Sequence, residues 1–581
     1  MRLLRAMVIF ITLSLSGAVF GAAEDEFHAL LDEAWEWELE NYPMFASQLG
    51  DRRYNDRWQD HSIEAIETRH SEIRAFLKRV YAIDQSDLSE SDQLNYELFR
   101  RSIQSEVDGM AFNGHLMPLH HRGGVQNLDS DTNYLTFASV NDYEDWLVRM
   151  GKVDEVIEQT IKLAEHGRKA GYVPPKILME RIPGQLVAQL VDDAEDSPFY
   201  AIFVEMPSSI TDDDQQRLRS MARDTIAKNI LPAYRKLARY FSDTYLPACR
   251  DSIGLSSLPN GGAWYEHHAR RFTTTQMTPD DIHRLGLTEV RRIRDEMLKI
   301  IDEVDFEGSF QDFLNFLRSD PQFYYDNPDD LYESYLATSK RIDPELVHLF
   351  GKLPRMPYGV KPIPDSIAPD TTTAYYSRPA ADGSRAGIYW VNLYKPEVRP
   401  KYEIEVLSVH EAMPGHHLQI ALQQELEDMP NFRRYSGFTA FVEGWGLYSE
   451  SLGYDLGLYK DPYSQFGQLT YEMWRAVRLV VDTGIHYKGW TRQQAIEFFK
   501  DNAAKTELDI INEIDRYIGN PGQALAYKIG QLKIKTIRER AELALGDNFD
   551  VRAFHDAILG GGALPLDILE QRMDAWLTNQ L

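Results

Sequence analysis

Four side chains able to bind a metal or move a proton fall within eight consecutive positions. They are His410, Glu411, His416 and His417, in the string HEAMPGHH. Only 16 histidines occur among 581 residues, so three within eight positions is a concentration rather than background. A metal-dependent hydrolase needs two imidazoles on one helix face and a carboxylate beside the attacking water. The usual spacing is H-E-x-x-H, with the imidazoles four residues apart and about 40° around the helix. Here Pro414 occupies the place of the second histidine, and histidines come later, at His416 and His417.

In an unbroken helix His416 would lie about 240° around and ~9 Å along from His410, and His417 ~10.5 Å along. Neither meets His410 without a break. Pro414 lacks the N–H that would bond the His410 carbonyl, and Gly415 tolerates dihedrals that other residues avoid. A bulge at Pro414–Gly415 would return His416 to the place of an i+4 ligand. His416 is the expected second metal ligand, with His417 the alternative.

Two imidazoles rarely hold a catalytic zinc, so a third protein ligand is required. In the segment FTAFVEGWGLYSESLG the apolar residues are interrupted by Glu443, and a second acid, Glu450, follows. Burying Glu443 among Phe441, Val442, Trp445 and Leu447 is costly unless a cation meets it. Glu443 is the expected third ligand. Glu450, seven residues on and near the same helical face, is placed to orient an imidazole.

FVEGWGLYSE resembles the ligand helix of the thimet-oligopeptidase-like metallopeptidases. HEAMPGHH resembles the signature of a large bacterial family in the gluzincin group. Dipeptidyl peptidase III is a partial precedent, with one extra residue before the second histidine where this chain has two. The resemblance runs from about Thr273 to the C-terminus. It implies a helical peptidase fold around a deep cleft, holding one zinc ion per chain on His410, His416 and Glu443. It also implies that Glu411 is the general base, taking a proton from the attacking water and returning it to the leaving amine. Related peptidases polarise the scissile carbonyl with a Tyr or His from the later part of the chain. Tyr527 and His486 are the expected groups, with Asp482 at i−4 placed to steer the His486 imidazole.

These groups need rigid elements, and most of the chain has helical periodicity. Phe27 to Tyr42 carries apolar residues close to a 3.6 period. Thr211 caps a helix expected to reach about Thr244, and Thr278-Pro279-Asp280-Asp281 opens another. Further helical patterns cover roughly 460–505, 523–545 and 566–579. One β-rich stretch, TTTAYYSRPAADGSRAGIYWVNLY, reads as a hairpin turning at Ala381–Ser384. Its second run, Gly387 to Leu393, would offer a free edge to an extended peptide, unless it only packs under the neighbouring helix. The expected fold is mainly α, with a small hairpin or sheet beside the active-site helix.

Arg2 and Arg5, an apolar run from Ala6 to Phe20 and small residues Gly21-Ala22-Ala23 form the pattern of a signal peptide, residues 1–23. A periplasmic or secreted location follows, with no membrane attachment after cleavage. Cys249 is the only cysteine, so no internal disulfide can form, and none stands near the cut to carry a lipid. The expected domains are 24–270, a helical region, and 271–581, a catalytic region continuous with it. A formal charge of -28 disfavours nucleic acid as a partner. The adjacent pairs His120-His121 and His267-His268 point apart on any regular element and fit packing roles. The expectation is an exported zinc peptidase acting on short or unfolded peptides. Its rivals are a peptide-binding protein without catalysis and a metal-dependent hydrolase of other amides or esters.

Overall fold

A computed structural model describes residues 2–365 and 367–581, without the side chains of residues 2–20 and of Asp370. The side chains of most of the expected leader, 1–23, therefore lie outside the described residues. The fold is mainly α-helical with one three-stranded sheet. Among the described residues, no helix is long and apolar enough to cross a membrane.

The helix expected from Phe27 lies within α1 (Arg2–Asn41). Thr211 caps its helix by accepting the Asp214 N–H at 3.2 Å. That helix outruns its expected end near Thr244 and continues to Ala248. It does so through two π-turns, Ile226–Ile230 and Phe241–Tyr245. Each precedes a proline, Pro232 or Pro247, whose missing N–H cannot continue the ordinary ladder. The boundary expected near residue 270 falls inside α2 (Gly261–Thr273). Contacts cross it: Arg101 pairs with Asp567 at 2.8 Å, and Arg433 bonds Asn95 at 2.8 Å. One apolar core extends from Ile66 to Met573.

Thr278 and Asp281 cap α3 (Pro279–Glu303) reciprocally, as a hydroxyl and a carboxylate three residues apart should. The sheet consists of β1 (Tyr358–Pro362), β2 (Ala374–Ser377) and β3 (Gly387–Val391), in the order β1-β3-β2. β2 and β3 form the expected hairpin, with Gly383 at φ 76° in the turn. The expected free edge on β3 is corrected. β1 pairs parallel to it on its other side, and all five β3 residues are buried. An apolar run with no polar alternation suits a central strand. The edge strand of the hairpin is β2.

Next come α4 (Ile404–Glu411), α5 (His416–Gln424), α6 (Thr439–Leu452) and α7 (Pro462–His486). They are followed by α8 (Glu507–Gly519) and α9 (Ala526–Leu545). Every residue of α7 from Phe466 to His486 is buried, so this helix is the axis of the core. Gly286 lets α3 lie close against it, because a Cβ there would stand 2.7 Å from the Leu479 Cβ. α6 and α9 cross at two glycines: a Cβ on Gly444 would meet the Gly530 Cα at 2.5 Å. Gly444 of the FVEGWG string is thus explained by helix contact.

Candidate metal centre

The helix carrying His410 breaks where the sequence requires it. α4 ends at Glu411, and α5 begins at His416. Between them Met413–Pro414 is cis, and the Gly415 N–H reaches back to the Val409 carbonyl at 2.9 Å. A Cβ on Gly415 would stand 1.9 Å from the His410 carbonyl oxygen, so only glycine fits. The Trp445 indole N–H holds the Pro414 carbonyl at 2.8 Å and ties the break to α6.

This break aims two imidazoles at one carboxylate. His410 Nε2 lies 3.8 Å, and His416 Nε2 3.3 Å, from Glu443 Oε2. Ligand atoms of the three residues all lie within 4.8 Å of one another. That Glu443 oxygen is buried and makes no hydrogen bond among the described residues. Ligands about 2.0–2.1 Å from a tetrahedral ion stand ~3.3 Å apart, so the separations suit a small divalent cation. Burial opposes charge on Glu443, but the two imidazoles hold its carboxyl well below the usual range.

His410 is fixed from behind. Its Nδ1 lies 2.8 Å from Glu450 Oε1, and Arg475 holds that oxygen at 3.1 Å. Bonding Nδ1 to a carboxylate leaves Nε2 to face the cluster. Burial disfavours the imidazolium, but the facing carboxylates of Glu443 and Glu450 outweigh it and push His410 up to about 9. Gly446 makes room for the ring: a Cβ there would stand 2.9 Å from His410 Cε1.

His417 faces elsewhere. Its Nδ1 bonds the Tyr376 hydroxyl and its Nε2 the Met356 carbonyl, both at 2.9 Å, clamping α5 to the sheet. Burial pulls it down to about 4, so it is neutral there. Of the two histidines, His416 is the one brought to the cluster.

Glu411 lines the same cavity of about 270 Å³ as His410, His416 and Glu443. Its carboxylate makes no hydrogen bond or ion pair among the described residues. Tyr527 lines the cavity too, with its ring 6.4 Å from that of His410. Arg516 Nη2 donates to the Tyr527 hydroxyl oxygen at 2.9 Å. β2 forms another wall through Ala374, Tyr375 and Tyr376.

The expectation for His486 is corrected by its position. It is fully buried outside the cavity, accepting the Leu255 N–H at 3.0 Å and donating to the Tyr517 carbonyl at 2.9 Å. Burial drives it down to about 3, and both nitrogens are committed. Asp482 does not steer it. That carboxylate takes the Tyr265 hydroxyl at 2.5 Å and the Gly522 N–H at 3.1 Å.

Sequence reasoning passed over four charged residues that line the cavity: Arg122, Arg475, Arg478 and Glu513. For two of them a sequence signal existed. Arg475 and Arg478, three apart, are charges set among the apolar residues Trp474, Ala476, Val477 and Leu479, the same anomaly that exposed Glu443.

The sequence pattern of one family, described as "Bacterial protein of unknown function (DUF885)", matches residues 43–573, and the chain belongs to that family. Two solved structures share the fold. One is the crystal structure of a "putative lipoprotein" from Colwellia psychrerythraea, 28% identical. Its TM-score is 0.89, over 96% of this chain and 99% of that chain. The other, with the same description and of unknown function, is from Shewanella oneidensis. It is 18% identical, with a TM-score of 0.70 over 95% of this chain and 99% of that one. No protein with a curated description matches the chain.

Proposed function

We propose that this member of the family is an exported zinc peptidase that hydrolyses short or unfolded peptides. The observation that carries the reading is the convergence of His410 Nε2, His416 Nε2 and Glu443 Oε2, the last buried without a hydrogen bond. Two imidazoles and a carboxylate are a donor set suited to zinc in a catalytic site. A bound zinc ion would polarise a carbonyl and make water acidic enough to attack near neutral pH. His410 would be held in its binding tautomer by Glu450, and Glu450 in turn by Arg475.

The chain's own groups account for the proton movements. Glu411, with no competing partner among the described residues, takes the proton from the attacking water and delivers it to the leaving amine. The Tyr527 oxygen already accepts from Arg516, which leaves its O–H to donate to the developing oxyanion. The outer edge of β2 at the cavity suits main-chain pairing with an extended peptide. A cavity of about 270 Å³ favours a short segment over a folded protein. Export is supported by the basic, apolar and small-residue order of residues 1–23 and by the description of the Colwellia and Shewanella proteins.

A digest of a mixed peptide library with and without a chelator tests the reading. Cleavage that stops with the chelator and returns with zinc is the expected result. Peptide retention without cleavage by the zinc-loaded protein would favour a binding protein instead.

A further inference from the structure

The wall of the cavity beside the metal cluster is positively charged, in a chain of formal charge -28. Four arginines line the cavity. Arg475 is committed to Glu450. Of the other three, Arg478 and Arg516 share one acid, Glu513, which lies 3.0 Å from Arg478 and 3.4 Å from Arg516. Among the described residues the Arg122 guanidinium makes no ion pair or hydrogen bond. Arg478 is 2% exposed, yet its Nη1 is buried without a partner. An unpaired N–H on a buried guanidinium is costly, and an incoming carboxylate would satisfy it.

Resting on the peptidase reading above, we infer that Arg122, Arg478 and Arg516 recognise the free C-terminal carboxylate of the substrate. The spacing fits. The Arg478 guanidinium lies 4.2 Å from the centre of the Tyr527 ring, and that ring lies 6.4 Å from the His410 ring. A single aromatic ring thus separates the anion wall from the metal cluster. An extended chain covers about 3.5 Å per residue, so the carboxylate sits one or two residues beyond the scissile bond. The reaction is hydrolysis: water gives its hydroxyl to the acyl carbon and a proton to the amine released, which leaves as a free amino acid or dipeptide.

The test uses the zinc-loaded full chain and three short peptides of one sequence. One is a C-terminal acid, one a C-terminal amide, and one an amide with Asp at the last position. The acid should be cleaved with kcat/KM about 100-fold above the plain amide. Equal cleavage of acid and plain amide overturns this inference and leaves the peptidase reading standing. The Asp amide matching the acid assigns the carboxylate to a side chain and overturns the C-terminal reading. No cleavage of any of the three with zinc bound overturns the peptidase reading itself. Arg122→Gln removes a side chain that pairs with none of the described residues, and circular dichroism and zinc content verify that the variant is intact. It should raise KM for the acid about 10-fold with kcat little changed and leave the amide unaffected. An unchanged KM for the acid removes Arg122 from the proposed site.

Discussion

His410 Nδ1 stands 2.8 Å from Glu450 Oε1, forty residues away on a neighbouring helix. The carboxylate is fully buried, and Arg475 is the cation that offsets its charge. This contact fixes which imidazole nitrogen faces Glu443. Glu450→Gln keeps the shape and removes the charge. Zinc affinity should fall about 10- to 100-fold. Competition with a chelating dye, on protein whose circular dichroism matches the parent, reads this directly, and an unchanged affinity would contradict the orienting role.

Gly446 offers a steric version of the same test. An added Cβ would stand 2.9 Å from His410 Cε1 and 3.0 Å from Nε2. The ring cannot swing away without losing Glu450. Gly446→Ala should therefore weaken zinc binding by at least ~10-fold while the helix gains a better helix former. Gly457, with no atom within 4 Å but at φ +70°, would serve as a poor control, whereas Gly262 has both open space and ordinary φ. Gly262→Ala should leave zinc affinity unaltered.

His486 is predicted to support the fold rather than the reaction. It joins the Leu255 N–H to the Tyr517 carbonyl in the interior. His486→Phe leaves both backbone groups unpaired and should cost about 2–4 kcal/mol in stability. At a temperature where the variant is folded, kcat should stay within about twofold of the parent, since a residue outside the site leaves transition-state binding intact. A large loss of kcat with an unshifted melting temperature would return His486 to the site.

The candidate metal cluster was legible because its residue types conflict with their surroundings. Pro414 and Gly415 announce a break, and an acid among Phe441, Trp445 and Leu447 asks for a cation. His486 misled because spacing of i and i+4 says two residues share a helix face without saying which face. On α7 every face is buried, so the pattern had no exposed side to orient it. β1 was passed over because YGVKP carries a Gly and a Pro and shows no alternation, and without it β3 looks like an edge. The helices with strong caps, such as the one opened by Thr278, were the most readable. Arg122 lies nearly three hundred residues before the motif, and only the tertiary fold joins the two.

Asp482 predicts a pH effect. Burial pushes its carboxyl up to about 7, more than the bonds from Tyr265 and Gly522 pull it down. A folded-state value above the unfolded one means the folded chain holds the proton more tightly. This group's contribution is therefore full below about pH 4 and lost as pH rises through about 7. Asp482→Asn keeps an acceptor and removes the charge. The difference in melting temperature, variant minus parent, should grow from pH 5 to pH 8. A difference that is flat across this range would contradict the assignment.

The proposed reaction requires His410, His416 and Glu443 to hold one ion together. Metal analysis of the parent, of Glu411→Gln and of the double variant His410→Ala/Glu443→Ala, with peptide turnover measured on the same samples, checks this. One zinc per chain and turnover are expected in the parent, one zinc and no turnover in Glu411→Gln, and no zinc in the double variant. Zinc retained in full by the double variant, or turnover undiminished in Glu411→Gln, would contradict it.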